Sequence, residues 1–347
     1  MNNGSSHSPH SIDGKVVVVT GASGGVGRAL VRMLARRGCR VGMVARGADA
    51  LDAARREVEA LGGRALACPA DVADARQVEE AAEAIERALG PVDVWINNAM
   101  VSMYAPFWEI SPEEYRHITE VTYLGQVYGT MSALRRMRPR DRGTIVQVGS
   151  ALAHRSIPLQ SAYCGAKHAI AGFTESIRSE LYHEKSNVRV TIVHLPGVNT
   201  TQFTWTKNRM PHKPRPTGPI YEPEVAADGI LFAAEHASRK KVIVGFPALE
   251  AIVGEKFIPG LLDRYLARAA WDGSQLPERA DPQHEDNFWR PLPGDHGSHG
   301  PFDDEARTVS PQLWATKHRT GLLTAVVGAG IGAAAWMASR RRNRDGW

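Results

Sequence analysis

The apolar pattern begins at Lys15, after which four valines and a threonine follow without a polar interruption (VVVVT, 16–20). A short β-branched run with no alternation predicts a strand covered on both faces. A glycine-rich turn follows, then RALVRMLARRG (28–38), whose apolar residues recur at helical spacing until Gly38 stops them. The same pair of signals then repeats. Apolar runs at 40–44, 64–69, 92–97, 144–149, 189–194 and 241–245 predict further strands. Helical periods over 49–61, 74–89, 112–138, 161–183 and 222–237 alternate with them. Seven strands alternating with six helices predict a Rossmann-type α/β fold, a doubly wound parallel sheet covered on both faces. Ligands of such sheets bind beyond the carboxyl ends of the strands, so the loops after Thr20, Val44, Asn97, Gly149 and His194 are expected to line a site.

From about Leu249 the rhythm is lost. Residues 272–311 are rich in Pro, Gly, Asp and His and show no period, which predicts an irregular polar linker. His284, His296 and His299 lie in it without a close metal-ligand spacing, so no metal is expected. Residues 321–339 are uncharged and are followed by Arg340, Arg341, Arg342 and Arg344. As a helix this stretch is about 28 Å long at ~1.5 Å per residue, close to a hydrocarbon core of roughly 30 Å. Alanine and glycine dominate it, so insertion is marginal; a helix lying flat, with its arginines on anionic headgroups, is the other membrane reading. Gly328 and Gly332 would let two such helices approach closely. The bland alternative is a terminal helix on an oligomer surface, or a mobile tail.

Composition narrows the class. Of 347 residues, 43% are hydrophobic and 23% charged, which excludes a disordered, collagenous or disulfide-stapled chain. Cys39, Cys68 and Cys164 are dispersed and odd in number, as in a reducing compartment. The first fifteen residues carry no apolar run of a secretory signal, so a cytoplasmic location is expected. The net charge is +5, and residues 317–347 hold six basic side chains against one acid. The tail therefore carries all the excess, and a neutral body is a poor funnel for nucleic acid.

Three local patterns bear chemistry. The first turn reads TGASGGVG, with Gly21, Gly25 and Gly27 in a G-x3-G-x-G spacing around Ser23 and Val26. Such glycines let the backbone turn tightly against a pyrophosphate that the helix N-terminus stabilises. The second strand ends in Arg46 where an NAD site usually carries an acid for the ribose 2′-hydroxyl. An arginine suits a 2′-phosphate and favours NADP, with NAD as the alternative. Tyr163 and Lys167 stand at i and i+4 on one helical face, and Ser150 lies thirteen residues before Tyr163.

Together with Asp71-Val72, Asn97-Asn98-Ala99 and Pro196-Gly197, these patterns resemble the short-chain dehydrogenase/reductase family over about residues 12–250. The resemblance divides the chain into a leader (1–11), an NAD(P)-binding domain (12–250), a loop-rich extension (251–316) and the basic-flanked tail (317–347). It implies an enzyme that interconverts a carbonyl and an alcohol by hydride transfer, with Tyr163 as general acid and base. Lys167 would lower the tyrosine's pKa and hold the nicotinamide ribose, and Ser150 would hydrogen-bond the substrate oxygen. Asp71 and Val72 would meet the adenine, and Asn97 and Ala99 the adenosine ribose, with Asn98 beside them. Pro196, Gly197, Asn199 and Thr201 would surround the nicotinamide.

Two positions depart from the family pattern. Met100 stands where glycine is usual, and Thr122 where an asparagine normally organises a water behind the lysine. Thr122 is thus a candidate for a weakened relay. The alternative function is a catalytically weak or inactive nucleotide-binding scaffold or redox sensor. Residues 202–223 would cover the substrate, with Phe203, Trp205 and Met210 apolar and Lys207, Arg209, Lys213 and Arg215 basic, which suits a bulky hydrophobic carbonyl or alcohol. A homo-oligomer is expected. Cys164 is read as a packing residue, and His154 and His194 as groups behind the site or on the surface.

Overall fold

The computed structural model describes residues 11–257, 259–319, 321, 322 and 324. Seven parallel strands form one sheet: β1 (Val16–Thr20), β2 (Arg40–Ala45), β3 (Arg64–Pro69), β4 (Val94–Asn97), β5 (Thr144–Ser150), β6 (Arg189–Leu195) and β7 (Lys241–Ile243). Their spatial order is β7-β6-β5-β4-β1-β2-β3. The reversal of order between β1 and β4 opens a crevice at the carboxyl edge, where such sheets bind ligands.

The valine run of β1 is fully buried, as an unalternated strand requires. Val17 and Val19 join a core layer with Leu30 and Leu34 of α1 (Gly25–Arg36) and Ile230 of the helix Pro223–Glu235. Val16 and Val18 point the other way, into a layer with Ile85, Trp95, Ile118 and Ile145. The remaining helices lie close to their expected spans: α2 (Ala48–Ala60), α3 (Ala75–Leu89) and Ser161–His183.

The long helix expected over 112–138 is not continuous. A capping box of Ser111 and Glu114 starts α4 (Pro112–Thr119), a π-turn occupies Glu120–Leu124, and α5 (Gly125–Met137) resumes the α-helix. The break falls on Thr122, whose side chain is occupied by backbone outside the helix, as described below.

The chain after β7 departs most from expectation. The rhythm judged lost at Leu249 is two helices, Phe246–Phe257 and Pro259–Gly273. Phe246, Val253, Phe257, Leu261 and Tyr265 are exposed on them, so apolar residues occupy outer as well as inner positions and no one-sided stripe marks the elements. Residues 280–310 are irregular, but they are not a solvated linker. Phe288 is fully buried in the sheet's second core layer, and Phe302 packs with Tyr104 and Phe203. Ser310 caps a further short helix (Pro311–Lys317), which sets Leu313 into the first layer and pairs Lys317 with Asp228. Residues 325–347, which hold most of the candidate membrane segment, lie outside the described residues. Among those described, no helix is long and apolar enough to cross a membrane.

Candidate active site

A cavity of about 680 Å³ opens at the carboxyl edge of the sheet, large enough for a dinucleotide fragment and a small substrate together. Its floor is the first turn. Gly21 adopts φ +68° and donates its N–H to the Val44 carbonyl at 2.7 Å, tying the turn to β2. A Cβ on Gly27 would fall 2.0 Å from the Gly21 carbonyl oxygen. Gly27 thus works by allowing helix and strand to touch; it does not line the cavity, whereas Gly21, Ser23, Gly25 and Val26 do.

The Thr20 hydroxyl accepts from the N–H of Asn98 and of Ala99, and the Asn98 amide returns a bond to the Thr20 carbonyl at 3.0 Å. This fixes the β4 loop, so that Asn98, Ala99 and Met100 form one wall. Asn97 does not reach it. Its amide is buried among Trp95, Gln126, Thr130 and Gln147, where it bonds the sheet to α5. Asp71 and Val72 line the cavity beyond β3, and the Asp71 carboxylate accepts from the Ala73 N–H.

Ser150, Tyr163 and Lys167 converge on the opposite wall. Ser150 ends β5, and Tyr163 and Lys167 follow one another on a helix whose start is packed against it. The Lys167 ammonium donates to the Val148 carbonyl at 2.7 Å and lies 5.4 Å from the centre of the Tyr163 ring. Burial pushes Lys167 down to about 7. Burial also pushes the Tyr163 phenol above its ordinary value, with Cys164 adding to the rise and a hydrogen bond with Ser150 opposing it. Desolvation is the first cause of the shift in both groups.

Two expected site residues are engaged elsewhere. The buried Thr122 hydroxyl donates to the Val101 carbonyl at 2.8 Å and accepts from the Val101 N–H at 3.0 Å. It closes the loop after β4 rather than supporting Lys167, and it does not line the cavity. Asn199 donates its N–H to the Tyr221 carbonyl, and its side chain bonds Asp303 and the N–H of Phe302. Both backbone and side chain are thereby turned away from the cavity. Pro196, Gly197 and Thr201 do line it.

Other features of the site were not expected. Leu262, Tyr265, Leu266 and Ala269 of the helix Pro259–Gly273 line the far end, and Asn287, Pro291, Leu292 and His296 line the edge beside the first turn. Arg46 lines the cavity while donating to the carbonyl oxygens of Asn287, Phe288 and Trp289. His154 and His194 meet through their Nε2 atoms at 3.2 Å behind Ser150. His299 lies with Glu222 and Glu224 in a group of potential metal ligands, but its two nitrogens contact carboxylates of Glu222, Glu224 and Asp303. Those contacts raise its pKa against the opposing effect of burial.

The family model for short chain dehydrogenases matches residues 15–212. The chain belongs to that family. An uncharacterized oxidoreductase of Bacillus subtilis, YxnA, is 32% identical over 329 residues, covering 94% of this chain and 91% of its own. An alcohol dehydrogenase from the archaeon Thermococcus sibiricus, solved with 5-hydroxy-NADP, is 26% identical with a TM-score of 0.58, over 66% of this chain and 95% of that one. A metagenomic short-chain oxidoreductase solved with NADP is 28% identical with a TM-score of 0.57, over 67% and 97%. The chain is thus an NAD(P)-dependent short-chain oxidoreductase with a Rossmann-type fold. The family match ends before the extension, whereas the likeness to YxnA runs through most of it.

The residues present fit a dinucleotide. The Thr201 hydroxyl is buried at the cavity wall with no partner among the described residues. It sits beside Gly24, where a Cβ would come 3.4 Å from it and 3.3 Å from the Trp205 ring. An unsatisfied buried hydroxyl at the cavity wall is what a polar ligand would complete.

Proposed function

We propose that the protein is an NADP-dependent oxidoreductase that interconverts a carbonyl and an alcohol, with Tyr163 moving the proton. The observation that carries this reading is the meeting of Ser150, Tyr163 and Lys167 in the same cavity as the glycine-rich turn. When bound, the nicotinamide supplies or removes the hydride. In the reductive direction the Tyr163 hydroxyl donates to the substrate oxygen, and the Ser150 hydroxyl donates to the same oxygen as charge develops there. A raised phenol pKa keeps Tyr163 protonated and ready as an acid. Lys167 has used one donor on Val148, and its other N–H groups are available to ribose hydroxyls. Such contacts favour its charged form, which in turn favours the phenolate needed for alcohol oxidation.

Cofactor contacts in this reading come from Gly21, Ser23, Gly25, Val26, Asp71, Val72, Asn98, Ala99, Pro196, Gly197 and Thr201, with Arg46 at the 2′-phosphate. Tyr104, Ile157, Phe203, Leu262 and Leu266 give the substrate end an apolar lining. A hydrophobic carbonyl or alcohol fits such a lining. Two further parts rest on the sequence: attachment of residues 321–339 to an anionic lipid surface, and self-association. Vesicle co-sedimentation and light scattering, with the full chain and one ending at residue 324, test both.

The first experiment is titration of the full chain with NADPH and NADH, read by reduced-nicotinamide fluorescence. NADPH binding at least about tenfold tighter, ~1.4 kcal/mol, is the expected result. Equal affinities remove the NADP preference. Binding of neither nucleotide would mark a retired cofactor site, with Met100 and Thr122 as its symptoms, and would remove the enzyme reading.

A further inference from the structure

Residues 286–303 cross the open edge of the cavity as a strap with attachments at both ends. On the first-turn side, the Gly25 N–H donates to the Gly297 carbonyl at 3.2 Å, Arg32 donates to the Ser298 hydroxyl at 2.9 Å, and the buried Arg28 pairs with Asp295 at 3.1 Å. On the nicotinamide side, Asn199 holds Asp303 at 2.6 Å and the N–H of Phe302 at 3.1 Å. Near the N-terminal end of the strap, ahead of these attachments, is the fully buried Phe288, whose carbonyl accepts from His117 Nε2 at 2.8 Å and whose ring is 5.0 Å from the His117 ring.

The strap also holds Arg46. Nη2 donates to the Asn287 carbonyl at 2.7 Å, and Nη1 lies 3.3 Å from the Phe288 carbonyl and 3.4 Å from that of Trp289. The Nε–H has no partner among the described residues, and no carboxylate there forms an ion pair with the guanidinium, which Asp71 attracts only from beyond contact distance. We propose that the strap is a positioning element of the cofactor site: by holding Arg46 at the cavity wall it sets the preference for a dinucleotide carrying a 2′-phosphate over one without it. This rests on the NADP reading above.

The argument is physical. An arginine on a free loop loses rotamer freedom when it captures a phosphate, and one already held does not. Neutral carbonyls fix the guanidinium without neutralising it, so its charge and its remaining donors are left for an anion. A carboxylate in their place would both fix it and cancel it. The attachment is long-range in sequence, and Phe288 is its apolar anchor. Loosening that anchor should therefore be felt at the 2′-position more than at the pyrophosphate or nicotinamide.

The test compares dissociation constants for NADPH and NADH in the full chain, in Arg46→Ala, in Phe288→Ala and in the double variant. Phe288→Ala is expected to weaken NADPH about tenfold while changing NADH less than twofold, and the double variant to be no weaker than Arg46→Ala. His117→Phe keeps an aromatic ring against Phe288 but removes the hydrogen bond to its carbonyl. It is expected to give the same selective loss on a smaller scale, about threefold, and it serves if Phe288→Ala does not fold. Equal weakening of both nucleotides would mean a merely structural strap and overturns the proposal. So does unchanged NADPH binding, or tighter binding, which would make the strap an obstructing cover. If the parent prefers NADPH and only Arg46→Ala abolishes that preference, this proposal alone fails. If the parent shows no preference, the NADP reading falls with it.

Discussion

The ammonium of Lys167 lies 5.4 Å from the centre of the Tyr163 ring and is bonded to the Val148 carbonyl, with no carboxylate pairing it among the described residues. Burial alone brings it from 10.5 to about 7. A lysine whose folded pKa lies below its unfolded one costs stability at low pH, and the cost shrinks as pH rises toward the unfolded value. Lys167→Met is therefore expected to be more stable than the parent without cofactor, on the order of 1–3 kcal/mol at pH 8. The gap should narrow progressively up to about pH 10.5. Thermal melts across that range check it, and a gap that is constant or widens with pH contradicts the burial argument. Turnover should be lost in the same variant.

Tyr163→Phe removes one oxygen from a wall that otherwise keeps its shape. The expectation is a loss of turnover of about a hundredfold or more, the scale of a missing general acid. NADPH affinity should stay within about twofold, because the phenol donates to substrate. Steady-state rates on a hydrophobic ketone panel, beside fluorescence titration, separate the two quantities. A variant that still turns over at near-parental rate removes Tyr163 from the proton transfer.

Thr122 illustrates a role that a motif comparison misassigns. Its hydroxyl satisfies both the N–H and the C=O of Val101 inside a π-turn, so it closes a loop. Thr122→Val keeps the shape and leaves two buried backbone groups without a partner, at a cost of about 2 kcal/mol. The midpoint of denaturant unfolding should fall, while kcat at saturating substrate stays within about twofold. A large kcat loss with unchanged stability would return Thr122 to the proton relay.

The sheet was legible in the sequence because valine-rich runs and helical periods are local signals, and all seven strands lie on the expected runs, three of them extending one residue further. The glycine turn, Ser150, Tyr163 and Lys167 were legible for the same reason: each is a short pattern at fixed spacing. What escaped detection was non-local. Phe288 becomes a core residue because residues far away in sequence, His117 and Lys207 among them, pack against it. Arg46 reads as a solitary loop cation until carbonyls some 240 residues later are brought to it. Asn199 matches a cofactor position by offset, yet its side chain is taken by Asp303 in a segment that looked like linker. Composition alone cannot reveal that a Pro- and Gly-rich stretch is fixed by two buried aromatics, Phe288 and Phe302.

The last expectation concerns the pair of imidazoles behind Ser150. A carbonyl can only accept, so His194 donates from Nδ1 to the Ser150 carbonyl at 3.1 Å and must receive at Nε2. His154 fills that place with its Nε2–H at 3.2 Å, which leaves the His194 ring neutral. Burial is the first cause of depression for each, and it brings His194 from 6.5 to about 3. With the folded pKa below the unfolded one, this pair contributes stability that is complete above pH 6.5 and is lost as pH falls toward 3. One pH unit below the unfolded value, the loss from His194 alone is about 1.4 kcal/mol. His194→Gln can still donate to the Ser150 carbonyl but cannot titrate. Its melting temperature should therefore fall less steeply than the parent's between pH 6.5 and 4, and an identical acid limb in both proteins would show that the imidazole pair does not hold the Ser150 turn by its neutral form.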